Sequence, residues 1–202
     1  MRPLRLPGFA LLAACALALG LGCTPQGHER RPHGAARDGA GDGDDDGEGG
    51  EAAMRKGVAE SDEWLGVEGF GARIRVPKGW EFGQQGVLVL GTETHSKAAF
   101  ILVGATGAPD ARKKYEIGLD LLKLEVGDSS LAKRTVTIHG LTFERQDYEK
   151  ASVNGKRARG VALVADAPKT RGGILLFLGY SLEGEAALEK DLGAAVESIS
   201  RE

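Results

Sequence analysis

Cysteine is absent from everything beyond residue 23: the two in this 202-residue chain are Cys15 and Cys23. The part that can fold therefore has no disulfide, no thiolate metal ligand and no cysteine nucleophile. Residues 24–53 contain no Leu, Ile, Val, Phe, Tyr or Trp. They have nothing to bury, so the entropy of ordering them goes uncompensated. Net charge is missing where the core must lie: the −3 of the chain comes from +2 over residues 1–23 and −5 over 24–53, with 21 basic and 21 acidic residues in the remainder. A neutral domain without aromatic–basic interleaving lacks the electrostatic footprint of a nucleic-acid binder, and no nucleic-acid partner is expected. There is no G-x-S-x-G elbow, and Gly69-Phe70-Gly71 leads into a strand rather than from a strand into a helix. Serine-hydrolase and phosphate-loop signatures are both missing.

The first stretch, MRPLRLPGFALLAACALALGLGC, has Arg2 and Arg5, an apolar run from Phe9 to Leu21, and small residues before a cysteine. That is the layout of an export signal, and the run is short for a helix that spans a membrane. The cysteine at its end resembles the junction of bacterial lipoproteins, where a signal peptidase cuts before a cysteine that becomes acylated. Leu21-Gly22-Cys23 closes a full apolar region and is followed by polar Thr24-Pro25-Gln26, which favours Cys23 as the lipidated residue. Leu12-Ala13-Ala14-Cys15 is the alternative; it matches the lipoprotein motif better in letters, but leaves an apolar region of about six residues against the roughly 7 to 15 of a signal. An ordinary cleaved signal with incidental cysteines is the remaining option. The resemblance implies a palmitate-bearing lipoprotein attached to the membrane by its anchor, since several acyl chains hold firmly where one binds marginally. Thr24 in place of the Asp that retains enteric lipoproteins in the inner membrane implies the outer membrane, facing the periplasm.

The chain then divides into a signal peptide over 1–22, an anchor and disordered Gly/Asp-rich tether over 23–56, and a globular domain over 57–202. A flexible coil of about 30 residues has a mean reach of roughly 30 Å. Asp42, Asp44 and Asp46, with Gly47, fit the first half of an EF-hand loop and make a weak calcium candidate. Ala53 stands where the closing Glu belongs, so a solvated acidic linker is the expectation. His28 and His33 lack a third ligand, and neither a metal centre nor a cofactor is expected.

In Phe70–Phe82, Ile74 and Val76 alternate with Arg73 and Arg75, the period-two pattern of a half-buried strand. Pro77 ends that ladder, Lys78-Gly79 turns, and Trp80 and Phe82 return to the core. The main sheet is expected to begin with this strand. Val58–Glu68 reads as a lead-in turn whose Trp64, Leu65 and Val67 cover the core's edge. The apolar runs 86–91 and 98–103, bounded by glycines, predict strands covered on both faces. Pro109 and Asp110 open a helix. Ala111, Tyr115, Leu119, Leu122 and Val126 form the stripe expected to meet the sheet, while Ile117, Leu121 and Leu124 form a second stripe, the candidate surface for a partner. A meander of strands follows, with Asn154-Gly155 as a type I′ hairpin turn. A closing helix over Glu185–Ile199 presents Leu188, Leu192, Ala195 and Ile199 on one face.

Strands, a helix, an antiparallel run and a terminal helix define an α+β chain, an α/β/α sandwich around an antiparallel sheet. Ile74-Arg75-Val76-Pro77-Lys78-Gly79-Trp80, Ile138-His139-Gly140 with Arg145 and Tyr148, and Val196-Glu197-Ser198-Ile199 are similar to the PsbP-like family, which includes the photosystem II protein PsbP, Mog, and DcrB- and LpqN-type lipoproteins. The resemblance spans about residues 64 to 202 and implies a binding or assembly module, with no catalytic residues to carry over. His139 reads as a turn residue, His95 as an exposed loop residue, and Glu116 with Asp120 as an inert carboxylate pair on a helix. No enzyme is expected. The expected role is a lipid-anchored envelope module for a protein partner in the periplasm, the alternative being a carrier of a small ligand or lipid in a cavity between sheet and helix. The sequence leaves the oligomeric state open.

Overall fold

A computed structural model describes residues 54–127 and 132–202. The alternation at Ala72–Val76 is a strand whose Ile74 and Val76 are buried, while Arg73 and Arg75 turn away from the core. That strand, β3, does not begin the main sheet. It lies in a small sheet between β2 (Glu63–Val67) and the final strand β12 (Ser200–Arg201), in the order β12-β3-β2. The break at Pro77–Gly79 is the physical reason, since the chain leaves one sheet there and enters the other. Residues 58–68, expected as a lead-in turn, instead hold β2, preceded by β1 (Arg55–Val58). Leu65 and Val67 do pack inward, but Trp64 is 45% exposed with the Arg73 guanidinium 4.6 Å over its ring.

The main sheet takes its strands from β4 (Glu81–Gln85), β5 (Leu88–Thr92), β6 (Ala98–Ala105), β7 (Leu124–Glu125), β8 (Arg134–Ile138), β9 (Leu141–Val153), β10 (Lys156–Asp166) and β11 (Ile174–Leu182), together with β1. It is antiparallel, in the order β1-β4-β5-β6-β11-β10-β9-β7, with β8 also pairing β9. The apolar runs in β5 and β6 are buried along their whole length, because both faces of the sheet are covered. Asn154 and Gly155 have φ of 50° and 74°, as the tight turn from β9 to β10 demands.

Helix α1 (Ala108–Leu122) covers one face and α2 (Ala186–Ser198) the other, the expected α/β/α sandwich. Under α1, Leu88, Leu90, Ile101, Val103, Leu176 and Leu178 form one core. The second, larger core lies between the main sheet and both α2 and the small sheet. There Phe100 stacks on Phe177 with centroids 5.6 Å apart and meets Trp80 at 6.0 Å.

Both helices approach the sheet through a glycine. A Cβ on Gly118 of α1 would stand 2.5 Å from Ile101 Cδ1, and one on Gly179 of β11 would stand 2.9 Å from Leu192 Cδ1 of α2. Hydropathy patterning does not see a glycine, so the face of α1 that meets the sheet is centred on Gly118 and Leu122, with Tyr115 and Leu119 half-buried beside them. The helix also stops short of Val126. Lys123 adopts the left-handed conformation (φ 50°, ψ 36°), and its N–H turns back to the carbonyls of Asp120 and Leu119. Leu124 is consequently in β7, paired with Val153 and 3% exposed, so it is a core residue and not part of a second helical stripe.

Candidate functional site

The first half of β9 carries charge on the face it turns toward α2. Phe143, Arg145 and Asp147 alternate with Glu144, Gln146 and Tyr148, so the two charged side chains point to the same face as the buried phenylalanine. Register places their neighbours: Arg134 opposite Arg145, Val161 opposite Asp147 and Gly179, and Ser181 opposite Arg159. Across this patch runs α2, presenting Glu189, Leu192, Gly193 and Val196 at helical spacing. Between them lies a cleft of about 340 Å³, lined by these residues.

Its floor is apolar, made by Val161, Leu192 and Val196, and its rim is ionic. Asp147 accepts the Nε and Nη2 of Arg145 at 2.9 and 2.7 Å, and also the Nη2 of Arg134 at 3.1 Å. One half-buried carboxylate thus holds two guanidiniums that would otherwise repel across the strand pair. Arg159 donates to Glu189 Oε1 at 3.0 Å, bridging β10 to α2. Ser181, 2% exposed, also lines the cleft.

On the opposite face, a second cleft of about 340 Å³ separates α1 from β9 and β10, with Tyr115, Gln146, Tyr148, Ala162 and Val164 in its wall. There the hydroxyls of Tyr115 and Tyr148 lie 2.7 Å apart and Tyr148 donates to Gln146 Oε1 at 3.2 Å. Burial, then the Tyr115 hydroxyl, pushes the Tyr148 phenol far above its ordinary range. The polar groups of this cleft are largely taken up with one another, whereas the first gathers Arg134, Arg145, Asp147, Arg159 and Glu189 around an apolar floor. The first cleft is therefore the stronger candidate.

Ile117 and Leu121 are both half-buried on α1, and Leu121 packs against the core. Leu124 does not join them. His95 and His139 are exposed, His139 with φ 44° in the turn before Gly140. Glu116 pairs with Arg112 at 3.3 Å. Cys15, Cys23, Asp42, Asp44, Asp46, His28 and His33 lie outside the described residues. Sequence reasoning did not find Asp147, Arg159, Ser181 or Glu189, and used Arg145 only as a mark of family resemblance. A signal was present in the strand phase: charged side chains stand where Phe143 sets an inward-facing register.

No family model matches this chain, nor does any curated protein. Similar solved structures include the solution structure of cyanobacterial PsbP (CyanoP) from Synechocystis sp. PCC 6803, at 13% identity and a TM-score of 0.44, spanning 77% of this chain and 96% of that one. LpqN, described as involved in cell envelope biogenesis of Mycobacterium tuberculosis, is similar at 17% identity and a TM-score of 0.33, over 76% of this chain and 86% of that one.

Proposed function

We propose that this chain is a non-enzymatic binding module of the cell envelope, exported and lipid-anchored at Cys23 with Cys15 as the alternative, and that its folded part carries a small ligand between α2 and β9–β11. The observation that carries the reading is a cleft that joins an apolar floor of Val161, Leu192 and Val196 to an ionic rim, between a helix and the sheet. Guanidinium–carboxylate pairs stay charged at neutral pH and fix position, which suits holding a ligand. A cleft of about 340 Å³ matches the lower end of small-molecule sites, roughly 300 to 1,000 Å³.

Native mass spectrometry on the full chain extracted from its own membranes tests this. A bound small mass, lost in a Gly193→Leu variant whose new side chain occupies the cleft, supports the reading; an apo mass throughout overturns it. Acyl labelling tests the anchor: it should vanish in Cys23→Ser, and labelling lost only in Cys15→Ser would move the anchor to the other cysteine.

A second reading, docking of an envelope protein partner, is favoured by the half-exposed Ile117 and Leu121 side by side on α1. Ile117→Glu and Leu121→Glu should then remove co-purifying envelope proteins while the domain stays folded. An unchanged set of partners counts against that surface.

A further inference from the structure

The charges that line the α2 cleft sum to zero, but they fall into two groups that do not balance separately. Arg134 and Arg145 share the single carboxylate of Asp147, at 3.1 Å for the first and at 2.9 and 2.7 Å for the second. That group keeps a positive charge in excess. Arg159 spends its charge on Glu189, 3.0 Å away, although the bulge in β9 sets Glu149 and Lys150 opposite it. Glu149 lines the cleft, and its carboxylate makes no ion pair or hydrogen bond among the described residues; Lys150 is not part of the lining. The second group therefore keeps a negative charge in excess. Along β9 the two excesses are near neighbours, since Glu149 follows Asp147 by two residues, about 7 Å of strand. Val161, Leu192 and Val196 supply the apolar floor.

We infer that the cleft takes a zwitterion, an anionic and a cationic group several bonds apart on a short apolar body; this rests on the cleft being the binding site. The anionic group meets Arg134, which commits one nitrogen to Asp147 and keeps other N–H groups for a ligand. The cationic group meets Glu149. An ion of either sign gains at one of these groups and is repelled at the other, so a neutral lining with separated charges favours a dipole over both. An uncharged ligand gains only the floor. The apolar body lies over Val161 and Val196, in the space beside Gly193, where an added Cβ would touch nothing within 4 Å.

Calorimetric titration of the full chain compares octyl phosphocholine with octyl phosphate, octyltrimethylammonium and octyl glucoside, each as monomers, and with the tail-free zwitterion trimethylammoniobutanoate. Octyl phosphocholine should bind roughly fivefold more tightly than the phosphate or the ammonium, the scale of one partly exposed ion pair. It should also exceed the glucoside and the tail-free zwitterion. The charge variants should cross over. Glu149→Gln should weaken octyl phosphocholine and tighten octyl phosphate, whereas Arg134→Gln should weaken octyl phosphocholine and tighten octyltrimethylammonium. Equal binding of zwitterionic and singly charged probes, or variants without that crossover, overturns the inference while leaving the cleft as a site. A tail-free zwitterion that binds as tightly as the octyl one overturns the apolar body and points to a soluble ligand rather than a lipid-like one. Binding that survives Gly193→Leu, or no binding of any probe, removes the cleft reading itself. Arg134 and Glu149 are exposed and Gly193 faces open space, so all three variants should fold; matching circular dichroism verifies it.

Discussion

The Oγ of Ser198 accepts the backbone N–H of Arg75 at 2.8 Å and donates to the carbonyl of Ala195 at 2.7 Å. A side chain on the last turn of α2 thus stands where a strand would. β12 pairs only with Ala72 and Arg73, so Arg75 has no ladder partner on that side. Ser198→Ala leaves that N–H unmatched beneath the helix and should cost about 1–2 kcal/mol. Urea unfolding with an unchanged slope measures it.

The two glycines inside helices should respond in opposite senses. Gly118→Ala gains helix propensity of about 1 kcal/mol but drives its Cβ to 2.5 and 2.7 Å from Ile101 and Leu178. Overpacking of this kind costs about 1–3 kcal/mol, so a net loss is expected. Gly193→Ala meets nothing and should stabilise by up to about 1 kcal/mol. Thermal melts of the pair give the sign directly.

Asp110 sits in the first turn of α1, accepting the Thr106 N–H at 2.8 Å and facing Lys114 at 3.0 Å. Burial works to raise its carboxyl, but the Thr106 N–H and Lys114 outweigh it and hold the group below its ordinary value of 3.8. A lowered folded value means the stabilisation is complete above that ordinary value and fades as pH falls through the folded one. Asp110→Asn should lose about 1 kcal/mol at neutral pH, and the gap to the parent should close at acid pH.

At the alkaline end the sign reverses. Burial, then the nearby charge of Glu93, pushes the Tyr180 phenol from 10.0 up to about 12, and its hydroxyl donates to the Ser96 carbonyl at 3.1 Å. The unfolded chain ionises first, so stability is intact below about pH 10 and declines as pH rises toward the folded value. Tyr180→Phe should be less stable at pH 7 by about 1 kcal/mol and should show a shallower loss between pH 10 and 12. Denaturant midpoints across that range decide it.

The elements legible in advance were those whose residues carry their own signal. Ile74 and Val76 announced a strand, Asn154-Gly155 a hairpin, and the unbroken apolar runs of β5 and β6 a sheet covered twice. The failures also have local causes. Glu81–Gln85 lacks the alternation that marks a strand, so no element was expected there, yet it pairs β1 and β5 as a strand. Lys123 ends α1 with a left-handed residue that composition does not flag, and so Leu124 moved from a helical stripe into the core.

What the sequence alone determined was the class of the fold. A tract with nothing apolar cannot form a core, a neutral remainder makes no nucleic-acid footprint, and periodicity sets which residues become strands and helices. Only the tertiary structure decided the cleft. Arg134, Arg145, Arg159, Ser181 and Glu189 come from β8, β9, β10, β11 and α2, and strand register together with the close approach of α2 at Gly179 brings them around one space. Residues that far apart in the chain share no local pattern, because their meeting is a property of the packing.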